Sequence, residues 1–127
     1  MKRTEINSPQ ASSPMGGYSQ AMLVGGMDRL LFISGQIPET ENGDTPRDIE
    51  SQCRLVWSNI VAQLKEARMT VANLTKVTIF LSSREHAEIS SSVRQEFLGE
   101  INPALTVIIT EIFDEKWLLE IEAVAAS

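Results

Sequence analysis

The 127-residue sequence has a single cysteine, Cys53, and a single histidine, His86. One thiol forms no intrachain disulfide and cannot build a metal site of several thiolates, and one imidazole adds little to a metal case. Basic residues are in the minority, 11 Lys and Arg against 17 Asp and Glu, for a formal net charge of −6. A chain with that balance lacks the basic face that grips phosphates, and nucleic acid is excluded as an expected partner. No apolar run approaches the roughly 20 residues that span a bilayer. The N-terminus lacks the charged-then-apolar pattern of a secretory signal, so the expectation is a cytoplasmic protein without a membrane partner. Gly-rich phosphate loops, nucleophile elbows and metal signatures are also missing.

What is present suits one α+β domain over residues 1–127, long enough for a single core. Residues 1–17 carry Ser8, Pro9, Ser12, Ser13, Pro14, Gly16 and Gly17, a composition that resists regular structure and reads as a flexible or extended N-terminal arm. Ser19–Val24 and Leu30–Ile33 read as two strands of a hairpin turning at Gly25-Gly26. Thr45-Pro46 reads as the cap and first residue of a helix. In that helix Ile49, Cys53, Val56, Trp57, Ile60, Val61 and Leu64 recur at three- and four-residue spacing and line one face. Lys76–Leu81 alternates polar and apolar before becoming continuously apolar, as a central strand does. A second helix over Arg84–Gly99 has a narrower stripe, Ile89, Val93 and Phe97, and Gly99 stops it. Leu105–Ile112 and Leu118–Ala126 are the last strands. Two helices then cover one face of a mixed sheet. Leu31, Phe32, Val107, Ile109, Leu119 and Ile121 supply more apolar sheet surface than two helices hide, which predicts association between copies.

The candidates for chemistry are few. Glu120 and Glu122 are two residues apart on the last strand and share a sheet face. Beside apolar neighbours such carboxyls acquire raised pKa values suited to acid/base work; otherwise they form a polar edge paired with Lys or Arg. Ser34 and Gln36 share a face at a strand end, as ligand groups or simply as turn formers. Tyr18 packs with its hydroxyl in water, or lines a site. Cys53 falls on the apolar side of its helix and reads as an inert core thiol. Trp57 reads as core and Trp117 as part of a strand turn. The Asn102-Pro103-Ala104 turn runs directly into a strand, whose first side chain, Leu105, is expected to face any pocket.

Tyr18-Ser19-Gln20-Ala21, Leu31-Phe32-Ile33-Ser34-Gly35-Gln36-Ile37-Pro38, the Gln52 to Asn59 helix segment, Lys76-Val77-Thr78-Ile79-Phe80-Leu81, Asn102-Pro103-Ala104 and Leu119-Glu120-Ile121-Glu122-Ala123-Val124-Ala125 together resemble the RidA/YjgF family of enamine/imine deaminases. The match runs in order through nearly the whole chain. It implies a chorismate-mutase-like α+β fold and a homotrimer with a barrel-like centre and three clefts between subunits. In deaminating members a 2-imino or enamine acid is hydrolysed there to a 2-keto acid and ammonia, with no cofactor or metal. By position, Glu120 matches the glutamate associated with the attacking water, Tyr18 and Ser34 match pocket-lining residues, and Gly35 matches the backbone beside the cleft.

The sequence departs from this family at Leu105, where deaminating members carry an arginine that anchors the substrate carboxylate with paired hydrogen bonds. A charge-assisted contact of that kind contributes about 1.5 to 3 kcal/mol. Gly17 stands where the family commonly has Pro, Ser90 where it often has Asn, Val107 where Cys is common, and Arg68 where Gly usually ends the first helix. The resemblance with these departures implies a trimer that binds a small, less acidic organic ligand without efficient 2-imino acid deamination. One alternative is a deaminase for a different enamine or imine that works through Glu120; another is a non-catalytic metabolite-binding or regulatory protein. Endoribonuclease activity, sometimes attached to this family, fits poorly with the acidic charge.

Overall fold

A computed structural model describes all 127 residues. In chain order the elements are β1 (Lys2–Ile6), β2 (Ala21–Gly25), β3 (Leu30–Gln36), α1 (Ile49–Glu66), β4 (Leu74–Leu81), α2 (Ala87–Leu98), β5 (Ala104–Ile109) and β6 (Leu119–Ala126). The main sheet has the order β3-β6-β4-β5, with β4 and β5 parallel and the other pairs antiparallel. It is the expected mixed sheet, and its fully buried side chains, Val77, Ile79, Leu81, Leu119 and Ile121, meet Trp57, Ile60 and Leu64 of α1 in one core.

α1 begins three residues later than Thr45-Pro46 implied. Asp48 is the N-cap and its Oδ2 accepts from the Ser51 amide at 2.9 Å, a geometry that leaves Pro46 outside the helix. Its carbonyl accepts instead from Gln52 Nε2 at 2.8 Å. At the other end Arg68 takes φ 59°, so a side chain occupies the left-handed position that glycine fills without strain. A short 3-10 turn over Arg84–His86 precedes α2, which stops at Gly99 with φ 58°.

Three expectations are corrected. The β2–β3 hairpin does not form: β2 pairs in full antiparallel register with β1, and β3 pairs with β6. Accordingly, the first residues of the arm are a strand, because β2 offers its backbone groups a partner and the Arg3 guanidinium donates to the carbonyls of Asn73 and Leu74. In α2 the buried residues are Ser90, Val93, Arg94 and Leu98, while Ile89 is 37% exposed. The helix packs on α1, with Phe97 stacked at 6.1 Å on Trp57, and its other flank faces β5 across a cavity.

Of the six residues expected to crowd the sheet, Leu119 and Ile121 lie fully buried on the helix side. Leu31 is half-buried against the core, and Val107 and Ile109 share the helix-side face through their registers with Ile79 and Leu81. Phe32 alone lies on the uncovered face, 73% exposed. Its partner there is Val124, and Phe80, Lys76 and Thr78 continue the same surface by strand alternation.

Candidate functional site

The sheet divides the candidate residues into two groups. Ser34, Gly35, Glu120 and Glu122 belong to the uncovered face. A bulge between Ile33 and Gln36 shifts the β3 register against β6, and it brings the Gly35 backbone beneath the Glu120 side chain. A Cβ at Gly35 would stand 1.8 Å from Glu120 Oε2 and 2.9 Å from its Cγ, so the carboxylate lies where only glycine leaves room. Burial pushes the Glu120 carboxyl above the usual carboxylate range, and the like charge of Glu122 adds to the shift. Neither glutamate forms an ion pair; both salt bridges of the chain belong to Arg54, with Glu50 and Glu96. Lys76, close by, donates instead to Thr106 Oγ1 at 2.6 Å. The pairing that a merely polar edge implies is therefore not made.

Tyr18, Ser90 and Leu105 form the second group, on the helix side of β5. With Arg94, Val107 and Leu81 they line a cavity of about 610 Å³ between α2, β5 and the segment before β2. Tyr18 Oη accepts from the Met15 amide at 3.1 Å, which holds the preceding loop over the opening. Leu105 faces this cavity and packs by its other side against the core. Four of the five departures named above, at positions 17, 90, 105 and 107, surround this one cavity or touch the arginine in it.

Arg94 is the site residue that sequence reasoning missed. It is 5% exposed, its Nε has no hydrogen-bond partner, and its one hydrogen bond runs from Nη2 to Ser91 Oγ at 3.4 Å. Burial pulls its pKa down, only partly offset by Tyr18. A signal was available: Ser90 and Arg94 are one helical turn apart and flank Val93, so if Val93 points inward, two polar residues accompany it.

The remaining candidates stand apart. Cys53 is fully buried in α1 and its thiol is pushed up to about 11 by burial, which leaves it inert. Trp57 is core, and Trp117 meets Phe113 at 6.5 Å in the loop before β6. Gln36 turns its amide to the Ser34 carbonyl and to Gln63 rather than to either group.

The sequence pattern of the endoribonuclease L-PSP family matches residues 8–127. A RutC family protein of Pyrococcus abyssi is 34% identical in an alignment 127 positions long that covers 98% of each chain. The fission-yeast protein mmf2, described as mitochondrial, is 32% identical in an alignment 129 positions long that covers 99% of each chain. Among solved structures, the Rid-family protein YyfB of Yersinia pestis, itself of unknown function, is similar with a TM-score of 0.83 at 25% identity over the whole of both chains. TdcF of Escherichia coli, solved with bound serine, is similar with a TM-score of 0.73 at 27% identity over 98% of each chain.

Proposed function

The chain belongs to the endoribonuclease L-PSP family, the RidA/YjgF proteins, and on that premise we propose that it is a homotrimer whose clefts between copies bind a small organic metabolite, without efficient 2-imino acid deamination. Leu105 in the cavity wall carries this reading: the strand position that should present a guanidinium to a substrate carboxylate presents an isobutyl group. The trimer is supported by the division of the site. Glu120 with Gly35 and Tyr18 with Ser90 and Leu105 lie on opposite faces of the sheet, so a cleft that used both would draw them from two copies. The solvent-facing Phe32, with Val124 beside it, gives such copies an apolar patch to share. The similarity to TdcF, which holds serine, supports a small amino-acid-like occupant.

A second reading keeps catalysis. Glu120, raised in pKa and held over Gly35, would orient or deprotonate the water that attacks a different enamine or imine. A binding protein without turnover uses the same cleft. The family's endoribonuclease label is not carried over, since a net charge of −6 works against phosphate contacts. A cytoplasmic location belongs to the same proposal and suits the free buried thiol of Cys53.

Ammonia or keto-acid release from freshly generated 2-aminoacrylate and 2-iminobutyrate is the test. Little turnover is expected from the parent chain, and Leu105→Arg is expected to raise it by about 10-fold or more, the equivalent of one restored charge-assisted contact. Parent turnover equal to that of deaminating relatives overturns the proposal. Residual turnover that Glu120→Gln abolishes supports the second reading, and turnover that survives that change removes Glu120 as the catalytic group.

A further inference from the structure

We propose that Arg94, on α2, is the anion-binding group of the Leu105 cavity, and that the cavity takes a small organic acid with one carboxylate head and an apolar body. The inference deepens the cleft-binding reading and rests on it for the location of the ligand. It changes the ligand's expected chemistry, which Leu105 alone made less acidic.

A guanidinium has five N–H donors and stays charged at neutral pH. Buried guanidinium groups are ordinarily met by carboxylates or carbonyls, because an unpaired buried charge is strongly destabilising. Arg94 has neither: it is 5% exposed, its Nε is unpartnered, and its one hydrogen bond, to Ser91 Oγ, is long at 3.4 Å. The ion pairs of the chain are Arg54's, although acidic residues outnumber basic ones 17 to 11. An acidic chain that leaves a buried arginine without an acid retains its charge for something that enters the cavity.

The surroundings define that occupant. Ser90 and Tyr18 add hydroxyls to the polar end, whereas Leu81, Leu105 and Val107 make the opposite wall apolar. One cation matches one negative charge, and the apolar wall matches a short hydrocarbon body rather than an inorganic ion. The loop above is shaped to the same group. Gly17 has φ 74°, and a Cβ there would stand 3.2 Å from Arg94 Nη2, so the chain passes over the guanidinium at a point where a side chain would press on it.

Butyrate and its neutral isostere butyramide serve as probes of the full-length protein, followed through the Arg94 Nε–Hε signal and the cavity amides by nitrogen-15 NMR, with thermal melts alongside. Butyrate is expected to shift the Arg94 signal saturably downfield and to raise the melting temperature, with butyramide at least about 10-fold weaker. Arg94→Met should lose that preference for the acid, and Arg94→Lys should keep part of it. Equal binding of both probes, or an undiminished preference in a folded Arg94→Met protein, overturns the assignment while leaving a small-molecule cavity in place. Failure of both probes to move any cavity signal removes the cleft-binding reading as well. An Arg94 signal that is already downfield, and that moves on dilution as copies separate, shows that a carboxylate of a second copy holds the guanidinium, and this too overturns the proposal.

Discussion

Glu120 and Leu105 separate two kinds of information carried by single residues. The alternation of β6 places Glu120 and Glu122 on one face from sequence alone, and burial then raises the Glu120 pKa with Glu122 adding to it. A carboxyl whose folded-state pKa lies above its unfolded value binds more protons when folded. Stability therefore falls as pH rises through the window between the ordinary and the raised value, and the penalty is fully present above it. Glu120→Gln removes the charge and should melt higher than the parent at about pH 7, the difference closing toward about pH 4, where the parent carboxyl is protonated. A glutamine variant that melts lower at neutral pH would show that the ionised carboxylate has a stabilising partner. The Leu105→Arg and Arg94→Met changes belong to this scale as well, since each alters one charge in one cavity.

Among the elements, α1 is the most legible, because seven apolar residues at helical spacing leave little freedom in which face is buried. Its junction with β6 was not legible. Gln52 is 1% exposed; its Nε2 donates to the carbonyls of Pro46 and Lys116, and its Oε1 accepts from the Leu118 amide at 2.8 Å. One side chain thus satisfies three backbone groups at the helix start and just ahead of β6. Gln52→Leu fits the apolar pattern of the helix yet strands those groups, and it should cost about 2 to 4 kcal/mol in denaturant unfolding. A loss under about 1 kcal/mol would mean that water replaces the glutamine there. α2 shows the opposite case. Its apolar stripe is narrow, so the stripe alone could not set the helix's rotation, and packing of Phe97 on Trp57 turned Ser90 and Arg94 inward in place of Ile89.

For the whole molecule the open question is what covers the second face of the sheet. Phe32 is 73% exposed beside Val124, in a chain of 14.1 kDa. Light scattering is expected to give three chain masses, and Phe32→Asp should shift the protein toward monomer by putting a charge into a face that assembly would dehydrate. A parent protein that runs as a monomer at micromolar concentration would contradict the trimer and the two-copy cleft together.

By itself the sequence determined what depends on local periodicity: the two helices, the central strand β4, the strand β6 with its paired glutamates, and the position of Leu105 at the head of β5. These signals are strong because a period of 2 or 3.6 assigns every residue of an element to a face at once. Tertiary structure decided which strands pair, so that β2 took β1 rather than β3, and which flank of α2 turned inward. Strand pairing and helix rotation are set by contacts between residues distant in the chain, and adjacent segments carry little trace of them. For the same reason Arg94 reads as an ordinary helical arginine in sequence and becomes a buried, unpaired cation only where α2 meets β5.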